Sequence, residues 1–269
     1  MKHFLGEGWQ LHPAGGATGE AYIAQQGDQK LFIKRNSSPF LAVLSAEGIV
    51  PKLLWTKRLE NGDVITAQRW INGRRLEQSE MNQTAVAQLL STIHRSTELL
   101  EMFKRMGNKP LTPFSILKGL EMVLAEQDVQ NDHIDDAMML LYKYANRVES
   151  NEMVVCHCDV NHNNWMVSHD GSLYLIDWDG AMVADPAFDI SLLLYSYIPR
   201  SDWEKWLEAY GIAFTKDLYQ RMLWYMISQS VEAIIWHTER EAYSEVIRWT
   251  NGLQSLITET KEQFEGAQN

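Results

Sequence analysis

The chain has 269 residues, enough for one large domain or two lobes, and its 45% hydrophobic and 22% charged content is that of a folded globular protein rather than a disordered one. A formal net charge of -11 at pH 7 argues against a general affinity for nucleic acid or an anionic membrane surface, which attract an excess of Lys and Arg. No apolar run reaches the ~18 residues of a spanning helix, and "MKHFLGEGWQLHPAGG" holds no signal-like stretch, so membrane insertion is not expected and a cytoplasmic location is.

Residues 1–72 read as strand and turn. The runs "GGATGEAYIAQQG", "QKLFIKR", "PKLLWTKRLENG" and "DVITAQRWING" are short, β-prone and punctuated by Gly and Asn, and Asn61-Gly62 suits a tight hairpin turn. A small antiparallel sheet is expected. After Gly73 the period changes to that of helices: Val86, Leu89, Leu90, Ile93 and Leu99 predict one helix through "NQTAVAQLLSTIHRSTELLEMF". Further helices are expected in "TPFSILKGLEMVLAEQ", in "DDAMMLLYKYANRVES" with Asp135 or Asp136 near its start, and from Ser201 onward, the end fraying after about Lys261. Between these lies a β island, Val154 to Asp189. The plan is α+β and two-lobed, a lobe of residues 1–72 followed by a helical lobe of 73–269.

The island carries the polar residues that a buried strand pair does not tolerate without partners. Its order is His157-Cys158-Asp159, then Asn164 five positions after the aspartate, then Asp177 in "LIDWDG", thirteen further on. The order H-x-D-x-x-x-x-N followed by I-D-W resembles the kinase pattern, in which an aspartate meets the acceptor hydroxyl while an asparagine and a second aspartate hold magnesium on nucleotide phosphates. Oxygen-only ligands suit that ion. Cys156 and Cys158 lack the second pair a structural zinc site requires, alternate strand positions are too far apart for a disulfide, and both are expected as free thiols.

These motifs resemble the aminoglycoside phosphotransferase and choline kinase superfamily, small-molecule relatives of the protein kinases, over most of the chain. The resemblance implies a bilobal protein-kinase-like fold, ATP and Mg2+ as cofactors, Asp159 as the catalytic carboxylate, and Asn164 and Asp177 as metal ligands. It also implies that Gly15, Gly16 and Gly19 approach phosphates, although such turns also mark plain hairpins. Lys34, after the apolar Leu31-Phe32-Ile33, takes the phosphate-pairing position ahead of Lys30 and Arg35, and backbone from Gln68 to Trp70 takes adenine. Two departures stand out. Cys158 replaces a usual glycine, and Glu47, near the end of the expected helix in "SSPFLAVLSAEG", is the only local acid for Lys34.

The other polar and aromatic residues have plainer readings. His157 fixes the loop, His162 faces substrate or solvent, His94 packs, Asp179 caps a turn, and Asp185 and Asp189 stabilise loops. Trp203, Trp206, Trp224, Trp236 and Trp249 are expected to fill core, with Trp165 and Trp178 as candidates for the acceptor pocket.

The strings "KLFIKRNSSPFLAVLSAEGIVPKLLW", "CHCDVNHNNWMVS" and "YLIDWDGAMVADPAFDI" are further similar to the CcrZ (YtmP) group of Gram-positive bacteria. That resemblance implies a nucleoside 5′-hydroxyl as acceptor, a link to replication and division, recruitment to the division site and the division protein FtsZ as a partner. A choline, ethanolamine or aminoglycoside kinase, with the acids of "DVQNDHIDD" as one source of cation recognition, and a non-catalytic division scaffold are the other readings.

Overall fold

The computed structural model describes residues 5–14, 20–38, 40–127 and 131–266. In the N-terminal part, β1 (Gln10–Pro13), β2 (Ala21–Gln26), β3 (Gln29–Arg35), β4 (Leu53–Arg58) and β5 (Val64–Arg69) form one antiparallel sheet in the order β1-β2-β3-β5-β4. Ile33, Ile65 and Ala67 close with Ala24 into a small fully buried cluster, Ile65 and Ala67 showing the period of two by which a strand presents one face. The expected hairpin joins β4 to β5. Gly62 takes φ +90°, Gly62 N–H donates to Leu59 O, and Leu59 N–H donates to Asp63 O. The helix between β3 and β4, α1 (Leu41–Ala46), is short.

The second lobe opens with β6 (Gly73–Arg75), which pairs with an island strand rather than with the N-terminal sheet. Gly73 is required at that crossing, because a Cβ there would lie 2.3 Å from Val167 O. Then come α2 (Thr84–Arg95), α3 (Thr97–Arg105), α4 (Pro113–Glu126) and α5 (Asp132–Tyr144). The island supplies β7 (Val154–Cys156), β8 (Trp165–Ser168), β9 (Leu173–Leu175) and β10 (Met182–Ala184), with β7 paired to β10 and the order β6-β8-β9 in the other small sheet. The chain closes with α6 (Ala187–Tyr197), α7 (Trp203–Tyr210), α8 (Lys216–Glu239) and α9 (Tyr243–Glu265). Helix α8 runs through the middle of the lobe against α4, α5, α6 and α9. The architecture is the bilobal, protein-kinase-like α+β fold.

Three boundaries differ from the sequence expectation. The single helix expected through residues 82–103 is broken at Ser96, whose ψ of 107° leaves the helical region and whose Oγ accepts the Leu99 N–H at 3.1 Å, capping α3. Helix α5 begins earlier than Asp135, because Asn131 caps it by accepting the His133 N–H at 3.0 Å. The tail does not fray at Lys261: α9 continues to Glu265, with Phe264 buried and stacked 4.2 Å from the Tyr144 ring, and Glu265 accepting from Lys143 and Tyr144. Among the described residues no helix is long and apolar enough to cross a membrane.

Candidate active site

The polar loop is clamped at both ends, since β7 stops at Cys156 and β8 starts at Trp165. Its entry hangs on one carboxylate. Asp189, fully buried in the first turn of α6, accepts the His157 N–H at 2.7 Å and the Cys158 N–H at 2.9 Å, and contacts His94 Nε2 at 3.2 Å. His94 Nδ1 meets Tyr210 Oη at 2.7 Å, so a chain of polar contacts runs from α7 through α2 and α6 to the loop. Asp185, the other acid of "DPAFD", pairs with Arg221 at 2.5 Å and accepts the Ala187 N–H at 2.8 Å. Both acids shape loops, as their position in the sequence suggests.

His157 bridges the loop to the Asp177 segment. Its Nδ1 accepts the Asp159 N–H at 3.2 Å, so the ring carries its proton on Nε2, which donates to Ile176 O at 2.9 Å. A ring engaged at both nitrogens is a brace rather than a proton carrier. Ile176 N–H in turn donates to Asn164 O at 2.8 Å, which fastens Asp177 beside the loop. Asn164 Nδ2 donates to Asp159 O and to Asp159 Oδ2, both at 2.9 Å, and Asn161 Nδ2 donates to Asp159 Oδ1. Asp177 sits at φ +65°, exposed, and its side chain has no hydrogen-bond partner among the described residues. Two residues on, Asp179 accepts from Lys34 Nζ through both carboxylate oxygens at 2.8 Å, joining the N-terminal sheet to the same segment.

Asp159 opens onto a cleft of about 1130 Å3 between the loop, α6, α8 and α9, bordered by Tyr197, Glu232, Trp236, Arg248 and Trp249. The chain matches the profile of the phosphotransferase enzyme family over residues 11–225. The chain belongs to this family. As a phosphotransferase it is an enzyme of the class that passes phosphate to a hydroxyl-bearing acceptor.

Among solved structures, the choline kinase LicA from Streptococcus pneumoniae is 18% identical, with 93% of each chain covered and a TM-score of 0.68. A choline/ethanolamine kinase family protein from Mesorhizobium loti is 15% identical, covering 95% of this chain and 89% of that one, with a TM-score of 0.67. A spectinomycin phosphotransferase solved with ADP and spectinomycin is 15% identical, covering 95% of this chain and 93% of that one, with a TM-score of 0.62. These likenesses show the fold.

Within this phosphotransferase several sequence expectations change. Asp179 does more than cap a turn, for it carries the Lys34 ion pair, while Glu47 accepts from Ser96 Oγ at 2.5 Å instead. Of the competing cations, Arg35 is bonded to Asp63, and Lys30 lies 5.9 Å from the Trp70 ring centre. Trp165 and Trp178, expected at an acceptor pocket, do not line the cleft beside Asp159. Both are buried, their Nε1–H groups donating to Val160 O at 3.2 Å and Leu175 O at 2.8 Å. Trp236, expected in the core, is 49% exposed, and Trp249, half-buried, borders the cleft with it. His94 is hydrogen-bonded at both nitrogens rather than merely packed.

Cys158 occupies its glycine-type position with φ +64°, and burial together with the nearby Asp189 carboxylate raises its thiol. Cys156 is also a free thiol, raised by complete burial. Gln68 is buried, donating from Nε2 to Pro51 O at 2.8 Å, and Trp70 Nε1–H donates to Asn72 Oδ1 at 3.1 Å. Gly15, Gly16 and Gly19 lie outside the described residues. No sequence signal marked Asp179 as the partner of Lys34, because the pair spans 145 positions.

Proposed function

We propose that this phosphotransferase transfers the γ-phosphoryl group of ATP to a hydroxyl of a small acceptor seated in the cleft beside Asp159. The carrying observation is that Asp159, in the wall of that cleft, is held by the buried Asn164, with Lys34 joined to the segment that bears Asp177. In this reading the Asp159 carboxylate, held by two amides, orients the acceptor hydroxyl and takes its proton. Lys34 pairs with the nucleotide phosphates, Gly15, Gly16 and Gly19 cover them, and backbone from Gln68 to Trp70 holds the adenine. Residues 1–72 form the nucleotide lobe and 73–269 the lobe of the catalytic loop and acceptor.

A divalent cation fits the donors present. Asn164 uses its amide nitrogen on Asp159, which leaves its amide oxygen as a ligand, and the Asp177 carboxylate, without a partner among the described residues, adds a hard anionic oxygen. Magnesium bound there would offset negative charge on the transferring phosphate. The protein's own contribution is positioning and fixed dipoles.

Two acceptor classes have support. Amino alcohols and aminoglycosides are favoured by the family, whose solved relatives include a choline kinase and a spectinomycin phosphotransferase, and by carboxylates in the cleft wall. A nucleoside 5′-hydroxyl is favoured by the likeness of three sequence strings to the CcrZ (YtmP) group and by a cleft with two tryptophans in its wall. The link to replication and division, FtsZ as partner and a cytoplasmic protein recruited to the division site belong to that second reading and rest on the same strings.

Incubating the full chain with magnesium-ATP and a panel of amino alcohols, aminoglycosides and nucleosides, with product mass as readout, tests the reading. Phosphorylated acceptor from the wild type and none from Asp159→Asn supports it. Turnover retained by Asp159→Asn removes Asp159 from its role, and ATP hydrolysis without acceptor product contradicts the transfer itself.

A further inference from the structure

The outer strand of the N-terminal sheet is basic in an acidic chain. Against a net charge of -11, residues 51–75 carry Lys52, Lys57, Arg58, Arg69, Arg74 and Arg75 with only Glu60 and Asp63 to balance them. Asp63 is bonded to Arg35, and Arg74 to Glu80. Lys52, Lys57, Arg58 and Arg69 are exposed and have no ion-pair partner among the described residues. All four lie on or beside β4, where the Arg69 N–H donates to Lys52 O at 2.8 Å and keeps those two residues adjacent.

Strand β4 is the last in the order β1-β2-β3-β5-β4, and among the described residues nothing pairs with its outer side. Leu59 N–H donates to Asp63 O, so that pair faces β5, and by the alternation of an antiparallel ladder Thr56 and Arg58 turn their N–H and C=O groups outward. Lys57 and Arg58 project to opposite faces of the strand. Leu54, 43% exposed, adds apolar surface at the same edge.

Cations on an edge strand keep like-charged edges apart, which excludes strand-to-strand pairing with a second copy of this chain. The same cations attract a strand of opposite sign. Nucleic acid would neutralise them but has no use for the outward row of backbone donors and acceptors, which matches an extended polypeptide.

We propose that the β4 edge is a docking site for an extended, acidic polypeptide segment of a partner protein. The segment adds as a further strand on Thr56 and Arg58 and sets its carboxylates against Lys57, Arg58 and the neighbouring Lys52 and Arg69. The site stands apart from the cleft at Asp159, whose walls hold none of these side chains.

Fluorescence anisotropy on the full chain tests the site with three labelled probes: a peptide of about eight residues alternating Glu and Thr, a Glu-Pro peptide of equal charge, and oligothymidylate. The Glu-Thr peptide should bind at low salt, and the Glu-Pro peptide, short of backbone donors, at least about fivefold more weakly. Thr56→Pro removes an outward N–H while sparing the pairing with β5, and should weaken Glu-Thr binding about threefold or more. Lys57→Glu with Arg58→Glu should weaken it about tenfold or more, and added salt should act in the same direction. The Tm of that double variant should stay within about 2 °C of the wild type, as for other exposed positions. If it falls further, Lys57→Gln with Arg58→Gln takes its place.

Hydrogen exchange in the wild type needs no variant and should slow at the Thr56 and Arg58 amides when the Glu-Thr peptide is added. Three results overturn the proposal. One is no peptide binding at low salt, and another is binding that survives the double charge change. The third is equal binding of all three probes without slowing at Thr56 and Arg58, which would mark a surface for polyanions in general.

Discussion

Lys34 Nζ donates to both carboxylate oxygens of Asp179 at 2.8 Å, linking the third strand of the N-terminal sheet to the turn that follows Asp177. In the kinase pattern a glutamate from the helix after the lysine strand orients the lysine. Here that helix is one of six residues, and the acid at its end, Glu47, is bonded to Ser96. Under the proposed function Asp179 therefore supplies the negative charge that aims Lys34. Asp179→Ala should raise the KM for ATP about tenfold, and Lys34→Ala should lower kcat/KM about a hundredfold or more. The two side chains are 61% and 23% exposed, so the pair contributes about 0–1 kcal/mol to folding. Thermal melts of Asp179→Ala should accordingly match the wild type, and a large drop in Tm would show a structural role instead.

Asp177 and Asn164 should separate nucleotide binding from acceptor chemistry. Asp177 is exposed and has no side-chain partner among the described residues, so under the proposed function Asp177→Ala removes a cation ligand without leaving a buried group unsatisfied. The expected result is unchanged stability, loss of turnover, and affinity for ATP that no longer rises when magnesium is added. Calorimetry with and without the metal measures it, and an undiminished magnesium effect removes Asp177 from the ligand set.

Much of this was readable from local patterning. The sheet, the Asn61-Gly62 hairpin and the loop with Asp159 and Asn164 each follow from spacing over a few residues, and the segment with Asp177, thirteen positions beyond Asn164, is fastened to that loop by Ile176. What was not readable depends on contacts between distant parts. Nothing near Lys34 points to Asp179, and nothing near Glu47 points to Ser96, because both partners are brought in by the packing of one lobe or segment on another. The tryptophans show the same limit. Trp165 and Trp178 flank the chemistry in sequence but point into the core with their N–H groups satisfied by carbonyls, whereas Trp236, far along the chain on α8, borders the cleft. The helix break at Ser96 was marked only by a serine cap within an unbroken apolar period.

Cys158 tests how much backbone strain the catalytic loop carries. At φ +64° a residue with a Cβ costs about 1 kcal/mol or more. Glycine removes that cost but gives back about 0.5–1 kcal/mol in chain entropy. Cys158→Gly should therefore leave stability within about 1 kcal/mol of the wild type, while the β-branched Cys158→Val should lose about 2 kcal/mol or more, as read by urea denaturation. Equal stability of the glycine and valine variants would mean that the loop relaxes out of this conformation at no cost.

The two thiols should be slow to alkylate. Burial raises both, and the negative charge of Asp189 acts in the same direction, so the thiolate that reacts is scarce at neutral pH. Iodoacetamide labelling of the native protein at pH 8 should lag far behind the urea-unfolded chain, and the native rate should keep rising above the ordinary thiol pKa of about 8.5. The sign is fixed by deprotonation: a raised pKa moves the onset of reactivity to higher pH. Rapid labelling of the folded protein at pH 7 would contradict the burial of these groups.

Asp189 should prove the most costly residue of the site to replace, although it faces no substrate. Its carboxylate is fully buried and serves two backbone N–H groups of the catalytic loop and His94 at once. Asp189→Ala leaves those donors buried without an acceptor, at about 1–3 kcal/mol for each unmatched group, so a loss of about 3–5 kcal/mol is expected by urea denaturation. Asp189→Asn keeps one acceptor oxygen, is expected to lose less stability, and should still depress kcat, because the entry to the loop and with it Asp159 shifts. His94→Gln, which keeps a donor toward Asp189, should restore more of both than His94→Leu. Wild-type stability and turnover in Asp189→Ala would show that β7 and β8 hold the loop without it.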